Sequence, residues 1–238
     1  MQFPCLQRGE VHIWKLSLDR PQAAIDNDWL VMSSDEAARA GRFVFPEHRD
    51  RYIACRASLR RLLAQYLQTS PGHLAFRYND FGKPELSTPL DGSRLRFNVS
   101  HCDNWALVAV ALKQRVGIDI ERLRQFDDLE NVANGCFSNL ELRELLSLPK
   151  LQRTEAFFNC WTRKEAFIKA WGDGISHPLS DFDVTLLPKS PARLLRIGGQ
   201  RTSPTEWSLI AWQPVPDYVA AMAIDESAIR VIHIDATQ

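Results

Sequence analysis

Two stretches of this chain, offset by about 105 residues, run through the same order of signals: a helix start, a long amphipathic helix, then alternating strands. Ser33 and Glu36 form an S-x-x-E capping box in the first stretch, and Ser138 and Glu141 form one in the second. At that offset Glu36 falls on Glu141, Cys55 on Cys160 and Tyr66 on Trp171. Such a repeat constrains the fold strongly, because each copy must bury its apolar faces within itself or against the other. It implies an α+β fold of two similar halves, residues 1–112 and 113–238, packed as a pseudo-dimer in one body. A crevice between two such halves is a common place for a ligand.

Finer signals fill in each half. Residues 11–18 alternate as a strand. A short helix runs from the first capping box to about Arg42, and a longer one spans about Glu47 to Gln68. Asn79, Asp80, Gly82 and Pro84 mark a turn, and 94–100, 105–112 and 116–121 read as strands. In the second half a helix reaches about Leu146 and a long one runs from about Thr154 to Trp171. Strands follow at 182–187, 207–212, 218–224 and 230–234, with 188–206 as an exposed loop rich in Pro, Ser and Gly.

Composition removes several classes of function. Lys+Arg and Asp+Glu are equal at 29 each, which argues against a nucleic-acid-binding protein. The five cysteines are scattered and never spaced as CxxC, so neither a disulfide framework nor a zinc site is expected. A reducing cytoplasmic setting follows. The first ten residues lack the apolar core of a signal peptide, and no apolar run approaches a membrane span. P-loop and G-x-G-x-x-G fingerprints are missing.

The sharpest local feature is Val116-Gly117-Ile118-Asp119-Ile120-Glu121. On a strand Ile118 and Ile120 face one way, toward a core, and Asp119 and Glu121 face the other. Their attachment points lie roughly 7 Å apart, where two carboxylates repel by roughly 2.5 kcal/mol at an effective dielectric near 20. A hard cation such as Mg²⁺ would reverse that cost; otherwise both acids wet the outer face of an edge strand.

In Trp161-Thr162-Arg163-Lys164-Glu165-Ala166-Phe167-Ile168-Lys169, Glu165 and Lys169 lie one helical turn apart on the edge of the apolar stripe. They either pair with each other or border a cleft. Lys164 falls inside the stripe, so it snorkels out or serves a specific anion. Candidate phosphate contacts are Ser100 and His101 at a strand end, Gly82-Lys83-Pro84 in the turn, and Arg49, Arg56 and Arg60 along one helix edge. Each is as readily a solvated surface group.

Order and spacing carry more than any one segment. Gly82-Lys83-Pro84, Phe97-Asn98-Val99-Ser100-His101, Gly117 to Glu121, Phe137-Ser138-Asn139-Leu140-Glu141 and Trp161 to Lys169 follow one another as in the 4′-phosphopantetheinyl transferases of the Sfp type, which residues 42–186 resemble. The resemblance implies two α+β halves with coenzyme A in the cleft between them. By position it implies Asp119, Glu121 and Glu165 as magnesium ligands. It implies Lys169, Ser100 and His101 as contacts to the coenzyme A phosphates, Arg56 as a 3′-phosphate arginine, and Gly82, Lys83 and Pro84 as neighbours of the adenine and 3′-phosphate. Arg49 matches more loosely. Leu140 and Ala166 depart from the family's frequent polar residues without removing a charge.

The activity implied is attack by a serine of an apo acyl or peptidyl carrier protein on the β-phosphate of coenzyme A. Its products are holo carrier and adenosine 3′,5′-bisphosphate. Lys169 would stabilise the departing phosphate. Glu141 is the first candidate for the base, with Glu165 acting through a water as the alternative. A monomer is expected, since the chain supplies both walls of its cleft. A magnesium-dependent nucleotide pyrophosphohydrolase and a non-catalytic coenzyme A or carrier scaffold are the rival readings.

Overall fold

Alternation of apolar side chains and strong helix starts place most of the element boundaries, and the computed structural model describes residues 3–80, 82–87, 94–172, 178–199 and 202–236. The N-terminal half runs β1 (Glu10–Ser17), α1 (Gln22–Trp29), α2 (Ser34–Ala40), α3 (Pro46–Leu67), β2 (Phe76–Tyr78), β3 (Pro84–Leu86), β4 (Leu95–Cys102) and β5 (Trp105–Leu112). The C-terminal half runs β6 (Val116–Arg122), α4 (Leu129–Cys136), α5 (Asn139–Ser147), α6 (Lys150–Trp171), β7 (Phe182–Val184), β8 (Leu194–Ile197), β9 (Ser208–Trp212), β10 (Tyr218–Ile224) and β11 (Arg230–Asp235).

Caps account for the helix ends. Ser138 and Glu141 exchange both bonds of a capping box, at 2.9 and 3.2 Å, and Glu36 reaches back to the Ser33 amide at 3.1 Å. Pro46 opens α3, where a missing N–H costs nothing. Gly172, with φ of 92°, closes α6 in the left-handed conformation that glycine adopts freely.

The repeat read from the sequence is present in the topology. The N-terminal sheet contains the order β1-β5-β4 and the C-terminal sheet the order β6-β10-β9, all antiparallel. Hairpin β2–β3 in one half answers hairpin β7–β8 in the other. Buried charge repeats it too. Arg60 bonds Glu36 at 2.6 Å and the carbonyls of Pro71 and Leu74 at 3.0 and 2.7 Å. Lys164 pairs with Glu141 at 2.8 Å and bonds the carbonyls of Leu179 and Phe182 at 2.7 and 2.6 Å. In each half a helix cation thus ties the capping-box glutamate to the 3-10 turn after the long helix.

Each half has its own core, Ile53, Leu59 and Leu63 with Phe97 in one and Phe157, Phe158 and Phe167 with Phe182 in the other. A third core joins them: Val11, Ile13, Leu107 and Ala109 pack with Ile118, Ile120, Tyr218 and Met222. Ile118 and Ile120 therefore do face a core. Among the described residues no helix is long and apolar enough to cross a membrane.

Several expectations need correction. The last strand, β11, does not stay with residues 113–238; it pairs parallel to β1 and adds a fourth strand to the N-terminal sheet. The stretch 188–206 is not a plain loop, since β8 lies in it and pairs with β7; residues 200–201 lie outside the described residues. Helix α6 begins at Lys150, a turn earlier than its apolar pattern, and α1, α4 and the hairpin β2–β3 were not foreseen.

Candidate active site

Gly117 sets the geometry from which the rest follows. A Cβ there would lie 2.1 Å from the Ala166 carbonyl oxygen and 2.3 Å from the Ala170 amide nitrogen. Only glycine lets β6 touch the backbone of α6, and that contact places Asp119 and Glu121 beside Glu165 and Lys169.

Asp119 is 3% exposed, so it does not wet an outer sheet face. Its Oδ1 accepts from Ser100 Oγ at 2.9 Å and from Lys169 Nζ at 2.6 Å, and Lys169 Nζ also reaches Ser100 Oγ at 3.1 Å. Ser100 comes from β4 in one half, and Asp119 and Lys169 from the other, so this cluster spans the seam. Burial disfavours the Lys169 ammonium, but the charge and hydrogen bond of Asp119 outweigh it and raise its pKa. Lys169 therefore pairs with Asp119, not with Glu165 as an i,i+4 partner.

Burial and then the Asp119 charge push the Glu121 carboxyl up to about 7, and Cys102 Sγ approaches Glu121 Oε2 at 3.8 Å. Burial raises Glu165 as well; Lys169 opposes this and Asp119 adds to it. His101 is exposed at the strand end, yet partial desolvation there, then the charges of Lys169 and Arg39, lower its pKa and favour the neutral imidazole. Arg39, in the last turn of α2, was not foreseen: its place beside Tyr52 (5.5 Å from the ring) and near His101 depends on how α2 lies over α3.

The expected magnesium set fits in part. Asp119 Oδ2 is buried and has no hydrogen-bond partner among the described residues, an orphaned oxygen of the hard type that Mg²⁺ takes. Yet among the described residues no three acids, imidazoles or thiols stand ready to hold a metal ion. Asp119, Glu121 and Glu165 share one electrostatic neighbourhood without forming a finished cage, and the Lys169 ammonium balances Asp119. A cation that keeps waters and shares substrate oxygens needs only one or two of them.

Other candidates fall elsewhere. Glu141 is 1% exposed. Its Oε2 takes Lys164 and the Ser138 amide (2.8 and 2.9 Å), and its Oε1 takes the Val184 amide at 2.8 Å. A carboxylate so enclosed holds the helix start and Lys164 together, and its oxygens are already engaged within the protein. Lys164 does serve a specific anion, and that anion is Glu141. Arg56 is balanced by a carboxylate within the protein: its guanidinium is buried on Glu36 Oε1 at 2.9 and 2.6 Å and on the Tyr78 hydroxyl at 2.8 Å. Arg49 pairs with its neighbour Asp50 at 2.8 Å and is half-buried.

The Gly82-Lys83-Pro84 turn is tied to the end of α6, where Asn79 Nδ2 donates to the Gly172 carbonyl at 2.9 Å. Gly82 has φ of 77°, and the buried Pro84 starts β3. Lys83 Nζ donates to the carbonyls of Lys169 at 2.5 Å and Val116 at 3.4 Å. A cavity of about 290 Å³ opens beside this turn, with Arg77, Lys83, Arg96, Arg115 and Trp171 among its walls. A larger cavity of about 550 Å³ lies between β1, α1 and α3 and holds none of the acidic groups discussed above.

Comparison with known proteins follows the same division of the chain. Residues 21–113 match the family model for the N-terminal region of 4′-phosphopantetheinyl transferases, and residues 115–223 match that for the 4′-phosphopantetheinyl transferase superfamily. The chain is 44% identical over 219 residues to the 4′-phosphopantetheinyl transferase HetI of Nostoc sp., covering 92% of this chain and 89% of that one. It is 31% identical over 176 residues to the 4′-phosphopantetheinyl transferase Sfp of Bacillus subtilis, covering 73% and 76%. Among solved structures, the holo-[acyl-carrier-protein] synthase of Thermotoga maritima is 22% identical with a TM-score of 0.36, over 48% of this chain and 63% of that one. With both halves matched and a relative aligned over nearly its whole length, the chain belongs to the 4′-phosphopantetheinyl transferase superfamily.

Proposed function

We propose that this enzyme moves the phosphopantetheine arm of coenzyme A onto a serine hydroxyl of an apo acyl or peptidyl carrier protein. The single observation that carries the reading is Asp119, buried at the seam with one oxygen held by Ser100 and Lys169 and the other unpartnered. That arrangement suits a diphosphate handled by one ammonium and one divalent cation.

The serine oxygen attacks the β-phosphorus, an O–P bond forms to the carrier, and the O–P bond to the departing adenosine 3′,5′-bisphosphate breaks. Lys169, with three N–H donors, donates to the diphosphate oxygens, the Ser100 hydroxyl joins it on turning from Asp119, and His101 adds an N–H. Asp119, with Glu121 or Glu165, would hold magnesium, which when bound offsets charge developing on the diphosphate. Glu165, half-buried with a raised pKa, accepts the serine proton directly or through a water. Glu141 has no part in this step. Gly82 and Pro84 border the nucleotide end, and Arg39, whose charge reaches His101, joins Arg56 as a candidate for its phosphates. All five cysteines are free, which suits a cytoplasmic enzyme, and both walls of the cleft come from one chain, which suits a monomer.

Incubation with coenzyme A, Mg²⁺ and a panel of apo carrier proteins, followed by intact mass, tests the reading. The expected result is gain of one phosphopantetheine per carrier, lost in Asp119→Ala without loss of folding. Hydrolysis of coenzyme A with no carrier modified would favour the pyrophosphohydrolase instead.

A further inference from the structure

Strand β6, which carries both acids, ends its sheet: β10 pairs one of its edges, and the other faces the N-terminal half. The outer edge of a strand leaves alternate N–H and C=O groups unpaired, and buried ones need partners. Here the partners are side chains of the other half. Asn98, 3% exposed, accepts the Ile118 N–H on its Oδ1 at 2.8 Å. Lys83 Nζ donates to the Val116 carbonyl at 3.4 Å. Val116 and Ile118 lie two residues apart, so their backbone groups point to the same side. Asn98 and Ser100 are also two apart, on one face of β4, and Ser100 takes Asp119 at 2.9 Å.

Lys83 has a second role at the same point. Its 2.5 Å bond to the Lys169 carbonyl satisfies one of the last four carbonyls of α6, which have no partner within the helix. One ammonium therefore ties the strand that bears Asp119 to the helix turn that bears Lys169.

We infer that Asn98 and Lys83 are positioning residues that register β6 and the last turn of α6 against β4, so that Lys169, Ser100 and Asp119 meet at the seam. Lys83 acts here through two backbone carbonyls, not as a ligand of coenzyme A. The inference rests on the transferase reading for its kinetic test and on the geometry alone for its exchange test.

Two variants and two readouts decide it. In Asn98→Ala the Ile118 amide loses its acceptor, and its hydrogen exchange should speed up at least tenfold relative to the amides of β10. Unchanged Ile118 exchange overturns the role of Asn98, whether or not the protein transfers anything. In Lys83→Met, assayed well below its own melting midpoint so that folding is separated from rate, kcat should fall about 10–100-fold with KM for coenzyme A within about twofold of the parent, because small misplacements of reacting groups cost rate. Lys83→Arg, which can still donate to both carbonyls, should recover most of that loss. A rise in KM with kcat unchanged overturns the role of Lys83 and returns it to ligand binding. If the parent protein modifies no carrier, the transferase reading has failed, while the exchange result stands by itself.

Discussion

Replacing Glu141 with glutamine removes the carboxylate that balances the charge of the buried Lys164. Lys164 is 1% exposed and would keep the carbonyls of Leu179 and Phe182 and the face of the Phe182 ring, none of which carries a full negative charge. Breaking a buried pair by deleting one partner costs about 3–5 kcal/mol, because the remaining charge stays desolvated. Glutamine also offers one acceptor oxygen where the carboxylate serves both the Val184 and Ser138 amides, adding about 1 kcal/mol. In a chain of 238 residues each kcal/mol moves Tm by about 2–4 °C, so Glu141→Gln should melt roughly 8–24 °C lower. Calorimetry gives that shift, and initial rates taken well below both midpoints give kcat, which should stay within a few-fold of the parent. The double variant Glu141→Gln/Lys164→Met should recover part of the lost stability, since no unpaired charge remains. A parent-like Tm with kcat down about 100-fold or more would refute the structural role and restore Glu141 as the base.

Burial alone would raise the pKa of Glu36, but the charge of Arg56 and the hydrogen bonds of Arg60 outweigh it and hold it below the ordinary carboxylate value. The unfolded chain then takes up that proton first as pH falls, so Glu36 contributes stability above about pH 4.5 that is lost as pH drops through its lowered folded value. Glu36→Gln should be less stable at neutral pH and show a flatter acid limb in urea titrations, whereas an unchanged limb would count against the pairing. Gly117→Ala puts a methyl group 2.1 Å from the Ala166 carbonyl oxygen, so it should lose about 1–3 kcal/mol together with kcat, as β6 and α6 separate. Parent-like melting and turnover in that variant would mean the strand and helix are not held in contact there.

Much of this protein was legible because its signals are local. Capping boxes at Ser33 and Ser138, the amphipathic runs of α3 and α6 and the alternation of β4, β5 and β6 each depend on residues a few positions apart. The offset repeat was legible for the same reason, since both copies spell one sequence of local elements. The motifs around Ser100, Asp119 and Lys169 pointed to one site, and the fold does bring those residues together at hydrogen-bond distance. Asn98 could have been found beside Ser100, as it lies two residues away on the same strand face.

What a helical wheel cannot supply is the identity of the group across from each face. It put Arg56 on a polar edge and Glu141 at a helix start, but not that Glu36 would draw in Arg56 and Arg60, or that Lys164 would enclose Glu141. Those pairs join residues about 20 positions apart through packed helices, so charge type alone could not tell a ligand contact from a buried counterion. The pairing of β11 with β1 joins the two ends of the chain, and nothing nearby in sequence announces it. Local residue pattern determined the elements and the chemical groups; only tertiary packing decided which charges are spent on one another and which remain for a substrate.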